Sequence, residues 1–512
     1  MKAAPVLAFT GILGFTLGML RAPALQVAVE SSQVVAGLVQ YPPGNAFYIY
    51  HTKVWTILHQ IGALFLLAGV SELALSRAIS GLLGMAAFQA LAIVVYALSR
   101  NALLAIASSI VIVVTGVAEG RAVYPVSLMG TSDTYGALGL SLFVLVLGLF
   151  GAGWSRSAAF LLGATPAMHA GLGVWLWVVV AITLLWDWRS ALPQLRQISS
   201  FFAAGSGIAA ASFFIQVAFI TDVPDVDPEQ VARYLDAFVS LWDFHRAPLS
   251  LASRPMLFNL GAIVAAAVGL SMLRHSLPRD AIFFLRCVVV CGVLGLAGVF
   301  LSWIPPRHAP PGLLLLMPTR LLVINTLILA ALVIGLSSSL AWKSVVRFAP
   351  VALLLFVAGT RLDVVVARAQ WKGAALKDYS NDPLFAAAAH EKNGLLLTGG
   401  SLHLMQLQTR RPVLLDGGGL DALPYAPESG PEMARVLMDV YGMDLLNPPP
   451  DALRTGVVPH EVNKVIWSTY SRDRWKQIGR THNVTQVLTP ADWTLDLPTR
   501  AQNEEYRLYR IP

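Results

Sequence analysis

Long stretches without a single charge decide what this chain can become. Residues 79–98 and 201–220 hold none. Further apolar runs at 5–20, 54–71, 102–117, 135–153, 171–186, 256–273, 281–303, 312–336 and 349–366 resemble them. In lipid every backbone N–H and C=O must be paired within the segment, so runs of this kind cross as helices. About 20 apolar residues cover the hydrocarbon core. The chain therefore predicts a polytopic α-helical membrane protein of about 11–12 spans. The uncertain one, 158–164, is short and stops at Thr165-Pro166; it either crosses fully or is half a helix that dips in and returns. Residues 1–20 have the look of a signal peptide, but no small-residue cleavage site follows, so they are read as a retained first span.

Composition agrees. Of 512 residues, 56% are hydrophobic and 13% charged, where a soluble domain carries about 25% charged residues. The charges return after Asp363. The division is a transmembrane domain at 1–366 and one soluble α/β domain at 367–512. In the latter, 394–398, 412–415, 485–488 and 506–511 read as strands, and 432–441 and 472–481 as helices. Gly417-Gly418-Gly419 is a turn, lacking the spacing and the lysine of a phosphate loop. Its neighbours Asp416, Asp421 and Glu428 show no pairing in sequence.

The net charge of +7 comes from basic residues scattered singly, which excludes a nucleic-acid surface. Arg189 and Arg196, Arg274 and Arg279, and Lys343 and Arg347 fall in alternate short loops, which the positive-inside rule makes cytoplasmic. Loops 221–255 and 305–311 and the tail then lie outside, while the topology of 54–170 stays open. Cys287 and Cys291, four apart in an apolar run, exclude a disulfide framework and a cysteine zinc site. The outer loops 21–53 and 221–255 are too long to be turns and mix aromatics with charges, which marks them as functional.

Ionisable residues at a membrane are costly unless used. Glu30 is the first acid of the chain, in an apolar helix-like run; its setting suits a raised pKa and a role as base toward a hydroxyl. His51, Lys53 and His59 follow Tyr41-Pro-Pro-Gly-Asn45. Residues 51, 55 and 59 share a face if that segment is one helix. Lys53 meets a phosphate, or the segment is only an interfacial aromatic belt. His169 marks an external helix break. Asp243, His245 and Arg246 either bind a polar headgroup or form a local ion cluster. Arg320 begins an apolar span, where a guanidinium forks onto phosphate oxygens or snorkels to the surface; Arg307 precedes it.

This layout resembles the GT-C superfamily of membrane glycosyltransferases, which includes the protein O-mannosyltransferases and the aminoarabinose transferases of lipid A. The resemblance implies sugar transfer from a polyprenyl-phosphate carrier to an acceptor outside a bacterial inner membrane. It places Glu30 where the family's loop acid stands, and Lys53 in the segment that carries a lysine toward the carrier phosphate. Asp133 is similar to a second family acid, and Arg320 to the late-span arginines on the lipid phosphate. Several family members have paired loop acids. Here Glu30 is alone, so no metal or other cofactor is expected. The expected partners are a polyprenyl-phosphate-linked sugar, membrane lipids and an acceptor that is a glycan, a lipid or a protein. The rivals are a transporter or flippase of lipid-linked glycans and a non-catalytic scaffold.

Overall fold

The computed structural model describes residues 3–22, 25–117, 119, 123, 126–131, 134–219, 224–340, 348–370, 378–399 and 402–512. Seven helices among them are long and apolar enough to cross a membrane: Ala3–Leu20, Glu72–Ser99, Thr134–Gly151, Leu195–Ala218, Arg254–Met272, Arg279–Leu301 and Gly312–Ser339. Four shorter apolar helices are interleaved with them: Ile57–Leu67, Ala102–Thr115, Ala170–Trp186 and Ala349–Thr360. The chain is a polytopic helical membrane protein with a C-terminal part built around a small sheet.

Glu72–Ser99 and Thr134–Gly151 form the centre of the bundle, the latter 83% buried along its apolar window. Leu195–Ala218, at 22%, presents most of its surface outward. Small residues set the closest crossings, as lipid-embedded helices favour. A Cβ at Gly14 would stand 2.4 Å from the Gly84 carbonyl oxygen, and one at Gly205 would stand 2.0 Å from that of Phe160. Deep in the bundle Asn325 Nδ2 donates to Asn259 Oδ1 at 2.8 Å, and Asn259 Nδ2 to the Gly292 carbonyl at 3.1 Å.

Three helical expectations change. The short segment at 158–164 belongs to a continuous helix, Ser155–Met168, that runs through Pro166. A proline orphans the carbonyl four residues earlier; here that is Leu162, which accepts from Trp177 Nε1 at 2.7 Å. Arg189 and Arg196 lie inside the helix Trp188–Phe219 rather than in a loop. The run 54–71 shrinks to Ile57–Leu67, because Thr56 caps its start through Leu58 N and Gly69 ends it at φ +87°. Lys343 and Arg347 lie outside the described residues.

The sheet has the order β1-β2-β4-β3, with β1 Leu395–Thr398, β2 Val484–Pro490, β3 Thr499–Gln502 and β4 Tyr506–Arg510. β1 and β2 are parallel; the other pairs are antiparallel. Strand β3 was not expected. The expected strand at 412–415 is a single bridge, Leu396 to Val413. Side chains take two of its carbonyls: Asn45 Nδ2 donates to Leu414 O and Tyr441 Oη to Leu415 O. Helices Gly430–Tyr441, His460–Thr469 and Arg472–His482 pack around the sheet and bury Trp467, Trp475 and Tyr441.

Both long loops join this core. Val39, Tyr41 and Phe47 from one, and Phe238 and Trp242 from the other, are buried in the same cluster as the sheet. Trp242 Nε1 donates to Leu445 O at 2.9 Å, and Arg454 Nη1 to Val239 O at 2.9 Å. The loops are thus ordered by the C-terminal part, and they carry its surface down onto the helices.

Candidate active site

Between the helices and the sheet lies a cavity of about 930 Å³, near the top of the range of about 300–1,000 Å³ that small-molecule sites occupy. Two short helices in loop 21–53 shape one wall. Ala28–Val35 presents Glu30 in its first turn, where the dipole favours a carboxylate. Ala46–Lys53 is capped by Asn45, whose side chain accepts from Phe47 N and Tyr48 N, and ends with His51 and Lys53.

Glu30, His51, Lys53, His169, His245 and Arg320 all line this cavity. Glu30 is 2% exposed. His51 and His59 do not share one helix, because the chain is extended at Val54, yet one hydrogen-bonded chain joins them. His51 Nδ1 lies 2.8 Å from Ser31 Oγ. Ser31 is hydrogen-bonded to Tyr135, and the Tyr135 hydroxyl lies 2.6 Å from His59 Nε2. Burial first, then the neighbouring phenols of Tyr135 and Tyr425 and the acids Asp421 and Glu30, push the Tyr50 phenol well above its ordinary range. Tyr50 therefore keeps its phenolic proton.

Arg320 begins the helix Arg320–Leu340 just after Met317, which sits at φ +44°. It is 8% exposed, and its Nη2 donates to Tyr425 Oη at 3.0 Å, so it turns inward rather than snorkelling. Gly171 lies beside it: a Cβ there would stand 3.7 Å from Arg320 Nη1. His169 caps the neighbouring helix by accepting from Leu172 N at 3.3 Å. Lys53 pairs with Glu428 of the C-terminal part.

Asp243 and Arg246 stand one layer behind. Arg246 Nη1 pairs with Asp243, and its ring neighbour Tyr425 lies 5.5 Å away. Burial opposes the charge of Arg246, but Tyr425, Asp243 and Asp421 together hold its pKa above the usual guanidinium value. Asp243, His245 and Asp421 are the one group of metal-ligand type among the described residues; two of them already face Arg246. Arg307 is exposed on the loop before the cavity, its backbone N–H donating to Asp236 Oδ1 at 3.0 Å. Asp133 lies outside the described residues.

The sequence missed the whole upper wall. Asp416, Gly417–Gly419, Asp421, Tyr425, His460 and Asn463 all come from the C-terminal part. Three consecutive glycines beside an acid were the available signal, because such a run lets the backbone approach closely. A Cβ at Gly419 would meet Phe47 Cζ at 2.4 Å.

No family model matches the chain, and no curated protein matches it. Among solved structures it is similar to ArnT from Cupriavidus metallidurans bound to undecaprenyl phosphate. The identity is 11% and the TM-score 0.48, over 99% of this chain and 98% of that one. The same protein in its apo state gives 11% identity and a TM-score of 0.45, over 100% and 98%. At these values the likeness is one of general layout, and the chemistry rests on this chain's own residues.

Proposed function

We propose that the protein is an inverting glycosyltransferase of the bacterial inner membrane, moving a sugar from a polyprenyl-phosphate carrier to an acceptor hydroxyl outside. The supporting observation is that a buried acid, Glu30, and two cations, Arg320 and Lys53, line one cavity whose rim is apolar and faces outward. Val174, Phe213 and Leu315 line it and are respectively 37%, 47% and 41% exposed. A polyprenyl chain lies against such a rim while its phosphate reaches inward.

The chemistry then needs one displacement. The acceptor oxygen attacks the anomeric carbon from the face opposite the carrier, and Glu30 takes the hydroxyl proton. The bond from that carbon to the phosphate oxygen breaks, and its electron pair leaves with the carrier phosphate beside Arg320. One attack from the opposite face inverts the centre. The soluble part lies on the outer side of the membrane in this reading.

The test is incubation of purified protein with a panel of undecaprenyl-phosphate sugars and of acceptor glycans, lipids and peptides, following release of carrier phosphate. Wild type releases it, and Glu30→Gln does not while keeping its melting temperature. Turnover at the wild-type rate in that variant would remove Glu30 from the chemistry.

A further inference from the structure

Two segments near the end of a span are apolar where a water-facing surface would carry charge. The loop 247–253 holds no charged residue. In the turn 452–459 the one charge is Arg454, whose guanidinium turns inward and donates to Val239 O at 2.9 Å and Asp243 O at 3.0 Å. That turn runs beside the residues leading into the loop. Arg454 N donates to Leu241 O at 2.8 Å, and Gly456 N to Trp242 O at 2.7 Å. A Cβ at Gly456 would stand 3.5 Å from the Phe244 ring. Phe244, Leu251 and Leu453 are 42%, 44% and 44% exposed. Contiguous exposed apolar surface marks a place of contact.

We infer that this surface dips into the leaflet nearest the C-terminal part and that its partner is anionic lipid. Continuity with the spans carries the assignment. Trp303 follows the span Arg279–Leu301; its Nε1 donates to Leu249 O at 2.8 Å, and its ring lies 5.0 Å from that of Phe300. Phe300, in the last turn of that span, and Leu257, in the first turn of Arg254–Met272, are 47% and 57% exposed. Side chains exposed on a span meet lipid, and tryptophan belongs at the level of the headgroups. Contacts lead from the span end through Trp303 and Leu249 into the loop, and from Phe244 to the turn of Leu453. The turn thus extends onto the C-terminal part an apolar surface that the spans begin.

Charge completes the fit. Arg254, directly after the loop, and Arg307, four residues after Trp303, are both exposed. Among the described residues neither guanidinium has an ion-pair partner. Such side chains lay their stems on apolar surface and hold the charge at headgroup level, where an anionic leaflet attracts it. The anchor is separate from the junction with loop 21–53, and it does not depend on the transferase reading. It reaches the cavity all the same, because the turn continues into Val457 and Val458 of the cavity wall.

The experiment uses the full chain in nanodiscs of phosphatidylglycerol or of phosphatidylcholine. A polarity-sensitive dye is attached to Leu453→Cys, to Leu251→Cys and, as reference, to Glu504→Cys in the exposed turn between β3 and β4; the native Cys287 and Cys291 are buried. The first two labels are quenched by spin-labelled lipid and shielded from aqueous iodide, and the reference label behaves in the opposite way. After delipidation the chain retains phosphatidylglycerol over phosphatidylcholine by mass spectrometry, and Arg254→Gln and Arg307→Gln each lower that retention about fivefold at an unchanged melting temperature. A Leu453→Cys label open to iodide and untouched by spin-labelled lipid overturns the proposal. Equal retention of the two lipids, or retention unchanged in both arginine variants, also overturns it. Shielding in discs that hold two chains but not in discs that hold one gives the patch to a second copy and overturns it too.

Discussion

The floor and the roof of the cavity are built in opposite ways. The floor comes from helices, a membrane span at Arg320 and a short loop helix at Glu30, and both ionisable groups sit at helix starts. The roof comes from turns and a three-glycine loop, held by tertiary contacts such as the Phe47 ring against Gly419. Position is cheap on the floor, where the helix fixes it. On the roof it depends on packing across the whole molecule. Substitutions on the floor should therefore act on chemistry and binding, and those on the roof and at the junction on stability and geometry.

The sharpest test of that contrast is Glu30→Gln, which should slow carrier-phosphate release by about 10²–10⁴-fold, the usual worth of a positioned base, without lowering the melting temperature. Arg320→Gln comes next. A hydrogen bond to a charged group contributes about 1.5–3 kcal/mol, and about 1.4 kcal/mol is tenfold. Undecaprenyl phosphate affinity should thus fall about 10- to 100-fold by titration. On the roof, Gly419→Ala drives a methyl into Phe47 and should cost about 1–3 kcal/mol of stability, read as a lower unfolding midpoint. If it slowed turnover without touching stability, the contrast would break.

The junction is subtler. Gln406 Nε2 donates to the Glu30 carbonyl at 3.0 Å, and Tyr41 Oη donates to Gln406 Oε1 at 2.7 Å. Gln406→Leu should cost about 1 kcal/mol and reduce the maximal rate more than carrier affinity, with Gln406→Asn recovering part of it. Arg435 pairs with Glu432 at the surface. Arg435→Ala should change the melting temperature by less than the measurement resolves, since such pairs contribute about 0–1 kcal/mol.

Much of the floor was legible. Charge-free runs gave the helices, and the isolated acid in an apolar run marked Glu30 for attention. Helix-period reasoning failed at His51 and His59, since Thr56 starts a new helix by capping and no window average sees a cap. It failed again at Pro166, where an indole fifteen residues after Leu162 completes the helix. The roof was invisible for another reason. Asp416, Glu428 and Asn463 carry no local pattern. Lys53 and Glu428 look unrelated in sequence and form an ion pair in space.

The bond from Gln406 to Glu30 closes a gap of 376 positions. During synthesis the first helices are threaded into the bilayer long before the last quarter of the chain leaves the ribosome. Until that segment arrives and docks, Glu30 has neither its clamp nor the wall above it. A chain cut short before Gln406 therefore holds Glu30 without this clamp.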